Sequence, residues 1–207
     1  MILCDIGNHS IDFFHDGKIW SMSHLEFQNY KPKEKIYYIS VNDKISKRLK
    51  DSQNFINIES YFNFDTIYQG IGIDRVAACT VVSDGMIVDA GSAITVDIMS
   101  NNLHLGGYIL PGLGAYESCF SKISDRLDFR LNPNIDLEAL PQKTTDALSY
   151  GVIRPILMVL KDTCKDKMIY FTGGDGKFFS KYFKNSIYDR TLIFRGMQKA
   201  MEAFKEE

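Results

Sequence analysis

The stretch VDAGSAITVD, residues 88–97, is an apolar run that breaks at Asp-Ala-Gly and then resumes. The start of the chain, LCDIGNHSIDF at residues 3–13, has nearly the same form. Asp5 and Asp89 occupy matching places in the two stretches, 84 positions apart. In both places a β-prone strand ends at Asp-x-Gly and a second strand follows. The repetition predicts a duplicated α/β unit.

Each copy of the pattern continues as a predicted three-stranded meander. In the first copy the strands are MILCDI, SIDFFH and KIWSMS, and Asp16-Gly17 lies between the last two. This dipeptide predicts a type I′ hairpin turn, because both central residues of that turn need a positive φ. In the second copy the strands are MIVDA, AITVDIM and LHLGGYIL, with a turn at Asn101-Asn102.

Further strands and helices are predicted after the first meander. The run IYYISV at 36–41 is apolar enough for a strand that is buried on both faces. The segment NDKISKRLK then predicts a short helix with Asn42 or Asp43 as its N-cap. The segment NFINI predicts the strand that follows.

The second meander is also followed by mixed elements. A helix is predicted from about Gly112, and another at 144–162 that Pro155 kinks or splits. The remaining predictions, in chain order, are a strand MIYFTGG, a short helix KFFSKYF, a strand TLIF and a closing helix RGMQKAMEAF. The pattern predicts two domains, 1–82 and 83–207.

Composition narrows the class of protein. The chain has 207 residues, 45% of them apolar, and a net charge of −2. A partner with many negative charges usually requires a clear basic excess, so we expect neither a nucleic-acid partner nor a membrane surface. The four cysteines are scattered, which argues against a zinc site or a disulfide framework. The start, MILCDIG, becomes acidic too soon for a signal peptide. We expect a cytoplasmic protein.

The two Asp-x-Gly turns have two interpretations. Glycine lets the backbone approach a ligand closely, and successive N–H groups can form a nest for phosphate oxygens. A carboxylate beside a phosphate needs a cation between them. Twin turns of this kind suit a nucleotide clamp. The other interpretation is that Asp-x-Gly is only turn chemistry.

The stretch GIDR, residues 72–75, is also open to two interpretations. Asp74 and Arg75 precede an apolar helix, VAACTVV. An acid in the first turn of a helix is favoured by the helix dipole. Alternatively, Asp74 accepts a proton from a substrate hydroxyl while Arg75 holds a carboxylate or phosphate.

Other nucleotide motifs are weak. The chain lacks a G-x-x-x-x-G-K-[ST] loop, and GIGIDR at 70–75 does not complete a dinucleotide fingerprint. Gly173 and Gly174 follow the strand MIYFT. They either let the backbone lie flat against an adenine ring or form an ordinary strand-end turn.

Taken together, these motifs resemble those of the type III pantothenate kinases, members of the acetate and sugar kinase, heat-shock chaperone and actin superfamily. The resemblance runs along nearly the whole chain in order. Its motifs are DIGN at 5–8, GIDR at 72–75, DAGSAITVD at 89–97, GGYILPGL at 106–113, TTDALSYG at 144–151 and TGG at 172–174.

The resemblance implies an α/β fold of duplicated ribonuclease H-like units, each with a mixed β-sheet flanked by helices, with a cleft between them. It implies ATP-dependent phosphorylation of pantothenate to 4'-phosphopantothenate, the first step of coenzyme A biosynthesis. Asp74 would be the catalytic proton acceptor. The residues implied to contact pantothenate are Tyr68, Gly72, Ile73, Asp74, Arg75 and Thr144. Thr144 would come from the partner subunit, so a homodimer with a shared active site is implied.

The resemblance also assigns the cofactors. ATP phosphates would be held by Asp5, Ile6, Gly7, Asn8, His9, Ser10, Ile11 and Asp12, with Asp5 acting through Mg²⁺. Ser92 would touch ATP, and Asp89 would bind a monovalent cation, K⁺ or NH₄⁺. His9, followed by Ser10, stands where the family usually has Thr, and Ser92 replaces another Thr but keeps the hydroxyl.

Two alternatives come from other functional classes. The first is a relative that binds nucleotide without turnover and acts as a regulatory, transcription-accessory protein. The presence of Asp74, Arg75 and Asp89 argues against it. The second is an actin-like filament ATPase, for which 207 residues are too few to hold the usual insertions.

Overall fold

A computed structural model describes residues 1–206, which form two compact units. Unit 1 comprises Met1–Ser83, the segment Met99–Gly106 and a C-terminal segment that begins at Arg190, and unit 2 comprises Asp84–Ile98 and Gly107–Asp189. Glu207, the end of the predicted second domain, lies outside the described residues. These units are defined by compactness, whereas the predicted domains 1–82 and 83–207 were defined by the repeated sequence pattern. The two domains therefore stay a prediction.

The first part of the chain contains one sheet and three helices. Their bounds are β1 (Ile2–Ile6), β2 (Ile11–His15), β3 (Lys18–Met22), α1 (His24–Gln28), β4 (Ile36–Ser40), α2 (Asp43–Leu49), β5 (Phe55–Asn57) and α3 (Ile73–Thr80), with a 3₁₀ turn at Glu59–Tyr61.

The rest of the chain contains a second sheet and four helices. Their bounds are β6 (Gly85–Ala90), β7 (Ala93–Ser100), β8 (Leu103–Pro111), α4 (Leu113–Ile123), α5 (Thr144–Cys164), β9 (Ile169–Thr172), α6 (Gly176–Ser180), β10 (Ser186–Tyr188) and α7 (Leu192–Glu206), with a 3₁₀ turn at Asp125–Leu127.

The two sheets have the same strand arrangement, which confirms the duplication. The first has the order β3-β2-β1-β4-β5, and the second, taken from its other edge, has the order β8-β7-β6-β9-β10. β1 pairs antiparallel with β2 and parallel with β4, and β6 pairs parallel with β9. Each sheet is therefore mixed, with a meander on one side of its central strand and parallel strands on the other.

The central strands are the most buried part of each sheet. Leu3, Cys4 and Ile6 of β1 are fully buried, as are Met86 and Val88 of β6. A strand that is covered on both faces needs apolar residues on both faces. Asp5 near the end of β1 and Asp89 near the end of β6 are therefore acidic residues in otherwise apolar strands.

Both predicted turns between strands are present, and the turn at Asp16-Gly17 has the predicted conformation. Asp16 and Gly17 have φ values of 48° and 78°, and Asn101 and Asn102 have values of 51° and 64°. Both turns thus have two successive positive φ angles, as type I′ requires.

Two sequence predictions were left open, and the structure decides both. Asn42 is the N-cap of α2, because its side-chain oxygen accepts a hydrogen bond from the backbone of Ile45 at 3.1 Å. Pro155 does not split α5, which is continuous from Thr144 to Cys164. Pro155 cannot donate to the carbonyl of Gly151, but both residues are exposed, so water can replace that bond.

The predicted strand TLIF, residues 191–194, is wrong, because Leu192, Ile193 and Phe194 begin helix α7. All three side chains are buried. An apolar run of this length does not distinguish a strand from the buried first turn of a helix. The last strand is instead β10.

Helix α1 is absent from the sequence prediction, although the chain carries its signal. The Ser23 side chain accepts a hydrogen bond from the backbone of Glu26, and the Glu26 carboxylate accepts one from the backbone of Ser23. This is a capping box. Hydrogen bonds from Ser23, first from its backbone, lower the pKa of Glu26.

Two findings concern membranes and thiols. None of the helices in residues 1–206 has both the length and the apolar character to cross a bilayer. No disulfide links the four cysteines, all of which lie in the described part of the chain.

Helix α3 is held in unit 1 by close packing against α7. Gly196 of α7 lies against the backbone of Ala77, so that a Cβ atom at Gly196 would overlap the Ala77 carbonyl. Lys199 Nζ donates to the carbonyl of Thr80 at 2.8 Å, at the C-terminus of α3. The position of α3 therefore depends on a residue without a side chain at the helix crossing.

We predict that Gly196→Ala lowers the free energy of unfolding by about 1–3 kcal/mol, because the added methyl group overpacks the helix crossing. Gly151→Ala in α5 is the matched control, since nothing lies within 4 Å of its added Cβ. The control is expected to be neutral or to gain up to about 1 kcal/mol from helix propensity. Urea unfolding measures both changes, and equal stability of the two variants would contradict the packing argument.

Candidate active site

A tight turn follows β1 in unit 1. The backbone N–H of Gly7 donates to the carbonyl of Ser10 at 3.0 Å, which closes the turn. Asn8, His9 and Ser10 are exposed at its tip. His24 Nε2 donates to the carbonyl of Gly7 at 3.1 Å. His24 was not predicted as a site residue, although the Ser23–Glu26 capping box is a signal for the helix that carries it.

The strands on either side of this turn carry two facing carboxylates. Asp5 of β1 and Asp12 of β2 are directly opposite in the antiparallel register. Residues so placed share one face of the sheet, and two like charges there destabilise each other. A cation would relieve this repulsion. Burial, and then the charges of Asp5 and Asp12, raise the pKa of the Cys4 thiol well above its usual range, so Cys4 stays protonated.

The Asp12 carboxylate is held by two hydroxyl groups. Ser10 Oγ donates to Asp12 Oδ2 at 3.2 Å, and Ser21 Oγ donates to Asp12 Oδ1. Both bonds fix Asp12 in place. The first of these bonds also means that the Ser10 hydroxyl already has an acceptor within the protein.

Asp74 lies in the first turn of α3, whose N-cap is Gly72. Its Oδ1 accepts a hydrogen bond from the backbone N–H of Arg75 at 2.8 Å. A Cβ atom at Gly72 would overlap Asp74 Oδ1 and would lie 3.5 Å from Val41 Cγ1. Because Gly72 has no side chain, the Asp74 carboxylate can lie beside the N-terminus of α3.

Val41 connects the Asp74 turn with the turn after β1. Its backbone N–H donates to the carbonyl of Ile6 at 3.1 Å, one residue before Gly7. Gly72 lies against the side chain of the same Val41. The start of α3 and the Asp5–Asp12 turn therefore lie at the same end of the first sheet.

Arg75 is buried, with 5% of its surface exposed. Its Cζ lies 4.7 Å from the centroid of the Tyr68 ring. A guanidinium over an aromatic face is attracted by the ring quadrupole. The structure therefore brings Tyr68, Gly72, Ile73, Asp74 and Arg75 together in unit 1.

A second, shorter turn follows β6 in unit 2, at the place in its sheet that corresponds to the first turn. Asp89 is the next-to-last residue of β6, as Asp5 is of β1. The N–H of Gly91 donates to the carbonyl of Ala93 at 2.9 Å and closes the turn. Ser92 is exposed at its tip.

Gly112 is a residue of this site that the sequence analysis used only as a helix start. Its N–H donates to the carbonyl of Ser92 at 3.1 Å. A Cβ atom there would overlap the carbonyls of Gly91 and Ser92. Gly112 is the N-cap of α4 and makes no side-chain cap hydrogen bond. The motif GGYILPGL contained the signal, but the contact partner lies 20 residues earlier in the chain.

The glycine pair after β9 lies beside Asp89. Gly173 has a φ of 80°, and a Cβ atom there would overlap Asp89 Oδ1 and the Ala90 carbonyl. The N–H of Asp175 donates to the carbonyl of Ala90 at 2.8 Å. Gly174 is exposed, with nothing within 4 Å of an added Cβ. Burial, and then the charge of Glu117, raise the pKa of Asp175.

Thr144 is the remaining predicted site residue of unit 2. It is the exposed first residue of α5. The first turns of α5 contact Asn132, whose Nδ2 donates to Asp146 at 3.4 Å and whose N–H donates to Ser149 Oγ at 2.8 Å. No hydrogen bond within residues 1–206 joins Thr144 to the group around Asp89.

A sequence model of the type III pantothenate kinase family matches residues 14–166. A type III pantothenate kinase from Campylobacter jejuni is 53% identical over 202 residues, which cover 98% of this chain and 97% of that protein. One from Helicobacter hepaticus is 46% identical over 203 residues, which cover 98% of each chain.

Solved structures agree on the fold. A Campylobacter jejuni protein assigned to the Baf family of transcriptional activators has a TM-score of 0.91 at 50% identity, covering 100% of each chain. A Sinorhizobium meliloti protein described as a 2-dehydro-3-deoxygalactonokinase has a TM-score of 0.56 at 7% identity, covering 98% of each chain, which shows a shared fold alone. With the two matching sheets, these similarities confirm the predicted duplicated ribonuclease H-like units.

The family model covers most of the chain, and the curated relatives match it almost from end to end. The predicted family is thereby confirmed, and with it the class of enzyme: a kinase that uses ATP with a divalent metal ion. The chain belongs to the type III pantothenate kinase family, the enzymes that phosphorylate pantothenate.

Proposed function

We propose that this protein transfers the γ-phosphoryl group of ATP to the primary hydroxyl of pantothenate, with Asp74 as the acceptor of the hydroxyl proton. The product is 4'-phosphopantothenate, and the reaction opens coenzyme A biosynthesis. The observation that carries the proposal is the position of Asp74 and Arg75 at the start of α3, against the same Val41 that bonds to Ile6 before the first turn. A proton acceptor and a phosphate turn at one end of one sheet suit phosphoryl transfer.

The first turn is proposed to hold the ATP phosphates. Its exposed tip, at Asn8, His9 and Ser10, supports this role because a backbone nest there is open to a ligand. The Ser10 hydroxyl already donates to Asp12. We therefore assign the phosphate contacts to backbone N–H groups of the turn, with the buried Ile6 and Ile11 anchoring its two ends.

Asp5 and Asp12 are proposed to hold Mg²⁺. Two facing carboxylates fit a hard divalent cation, whose preferred ligands are oxygen atoms. When bound, the ion neutralises charge on the phosphates. In the protein, the two serine hydroxyls keep Asp12 oriented.

Pantothenate is proposed to bind beside the start of α3. Arg75 suits its carboxylate, since a guanidinium presents paired donors to two carboxylate oxygens. Tyr68 lines the pocket, and Gly72 and Ile73 offer backbone close to the reacting hydroxyl. The burial of Arg75 and its position over the Tyr68 ring support this role, because a packed side chain has little freedom left to lose when the substrate binds.

Thr144 is proposed to reach pantothenate in the partner subunit of a homodimer with a shared active site. Its exposure supports a role in another subunit, because an exposed side chain is open to contact with a second copy. The side chains of Ile109, Met158 and Val159 in unit 2 are apolar and exposed, and contact with a second copy would bury such side chains.

The residues around the second turn are proposed to bind the rest of ATP and a monovalent cation. Ser92 would contact ATP, and Gly173 and Gly174 would lie against the adenine ring. Asp89 would hold K⁺ or NH₄⁺, for which a half-buried carboxylate oxygen is a suitable ligand.

The protein is also proposed to be cytoplasmic and to have no nucleic-acid partner. The net charge of −2 supports it, since it supplies no basic excess for a polyanion. The regulatory alternative is not favoured, because the chain belongs to a kinase family and keeps Asp74, Arg75 and Asp89.

We predict that Asp74→Asn lowers kcat by about 10²–10⁴-fold, because it removes only the proton acceptor. An amide oxygen at this position still accepts the Arg75 N–H, so the fold and pantothenate binding are expected to persist. ADP release with ATP, Mg²⁺, K⁺ and pantothenate measures turnover, and calorimetry measures binding.

Asp43→Asn is the matched control for this change, since Asp43 is also an acid in the first turn of a helix in unit 1. It should keep normal turnover. Parent-like rates in Asp74→Asn would remove Asp74 from the mechanism. Absence of ADP release by the parent protein would refute the kinase and favour a regulator.

Gly173→Ala is predicted to weaken ATP binding strongly, because the added methyl group overlaps Asp89 and Ala90 at a positive φ. Gly114→Ala in α4 of the same unit is the control for packing, since its added Cβ meets nothing within 4 Å. Calorimetric titration with a non-hydrolysable ATP analogue measures both. The predicted role of Gly173 fails if the two variants bind the analogue equally well.

Replacing K⁺ by Na⁺ is predicted to reduce activity sharply, because the proposed site at Asp89 selects among monovalent cations. Asp89→Asn should be poorly active and should show the same rate in both salts. Asp166→Asn, an exposed acid of the same unit, should keep the parent's ratio of rates. A parent enzyme with equal rates in K⁺ and Na⁺ contradicts the assignment.

A further inference from the structure

His104 is a buried residue of β8 that belongs to unit 1, with 5% of its surface exposed. It contacts three alternate residues of the segment that precedes α3. Its ring centroid lies 5.7 Å from that of Phe64 and 5.9 Å from that of Tyr68. Its Nδ1 lies 2.7 Å from Thr66 Oγ1. A spacing of two residues is what an extended segment gives when one side of it faces a common neighbour.

Thr66 joins His104 to the backbone of Tyr68. The same Oγ1 that bonds to His104 also accepts the N–H of Tyr68 at 3.0 Å. The Thr66 hydroxyl group therefore links the His104 imidazole to the backbone of Tyr68. Without it, the partly buried backbone N–H of Tyr68 and the Nδ1 of His104 would both lose a partner.

Tyr68 in turn supports Arg75, whose Cζ lies 4.7 Å above its ring. Arg75 is almost fully buried, so the orientation of its guanidinium is set by the groups it packs against. A continuous series of contacts thus leads from His104 through Thr66 and Tyr68 to Arg75.

We propose that His104 is a positioning residue for pantothenate. It fixes the Tyr68 ring, on which the Arg75 guanidinium rests, and so orients the donors that receive the substrate carboxylate. His104 and Thr66 act through Tyr68 and do not touch the substrate. The inference rests on the proposed roles of Tyr68 and Arg75 in binding pantothenate.

The test uses Thr66→Val, which keeps the shape of the side chain and removes the hydroxyl. We expect the KM for pantothenate to rise about tenfold, as the loss of one to two net hydrogen bonds implies. The KM for ATP and kcat should stay within about twofold, because neither the phosphate turn nor Asp74 changes. Thr66→Ser, which restores the hydroxyl, should restore the KM for pantothenate.

A second variant tests the imidazole itself. In His104→Asn an amide group can stand where Nδ1 stood and keep the bond to Thr66, while the ring contact with Tyr68 is lost. We expect a rise in the KM for pantothenate that is smaller than that of Thr66→Val. The control is Thr163→Val in unit 2, which removes a hydroxyl that bonds to Tyr108 Oη at 2.9 Å. That control should leave both KM values unchanged.

Arg75→Lys separates failure of this inference from failure of the proposed function. If Arg75→Lys leaves pantothenate binding unchanged, the assignment of the pocket itself is wrong. If Arg75→Lys weakens pantothenate binding but Thr66→Val and His104→Asn do not, His104 has no positioning role. An equal rise in both KM values in Thr66→Val, without rescue by Thr66→Ser, would show a general structural role and would also overturn the inference.

Discussion

The parallel pairing of β1 with β4 determines where the chemical groups of unit 1 lie. The two strands run in register from Ile2 opposite Ile36 to Ile6 opposite Ser40, and Val41 extends the ladder with one more hydrogen bond to Ile6. Beyond that bond β1 turns back at Gly7. Because Gly72 packs against the same Val41, the start of α3 is placed beside the turn. One backbone hydrogen bond therefore relates the proposed phosphate site to the proposed proton acceptor.

In unit 2 the parallel pairing of the central strand β6 likewise determines what lies beside its acidic residue. β6 pairs in parallel with β9, and Asp89 lies opposite Thr172, so the glycine that follows Thr172 lies directly against Asp89. In unit 1 the acid near the end of the central strand faces a second acid across an antiparallel pair. In unit 2 it faces a glycine turn. The same strand order thus provides two different environments for a carboxylate, one proposed for a divalent cation and one proposed for a monovalent cation.

Local signals made the fold and part of the site predictable. The turn at Asp16-Gly17 and the cap at Asn42 follow from residue chemistry within a few positions, and GIDR is a contiguous motif. The segment TLIF failed because a short apolar run fits two periods equally well. His104 and Gly112 were not recognised as site residues because their roles depend on partners 38 and 20 residues away, which no local pattern reveals.

The packing of α7 against α3 has a consequence for biosynthesis. The helix that carries Asp74 and Arg75 rests on Gly196 and Lys199, which the ribosome adds more than a hundred residues after Thr80. All of the segments of unit 2, by contrast, precede Arg190. The ribosome therefore makes all of the segments of unit 2 before it makes α7. Helix α3, although it is translated early, therefore lacks its packing partner until α7 has been synthesised.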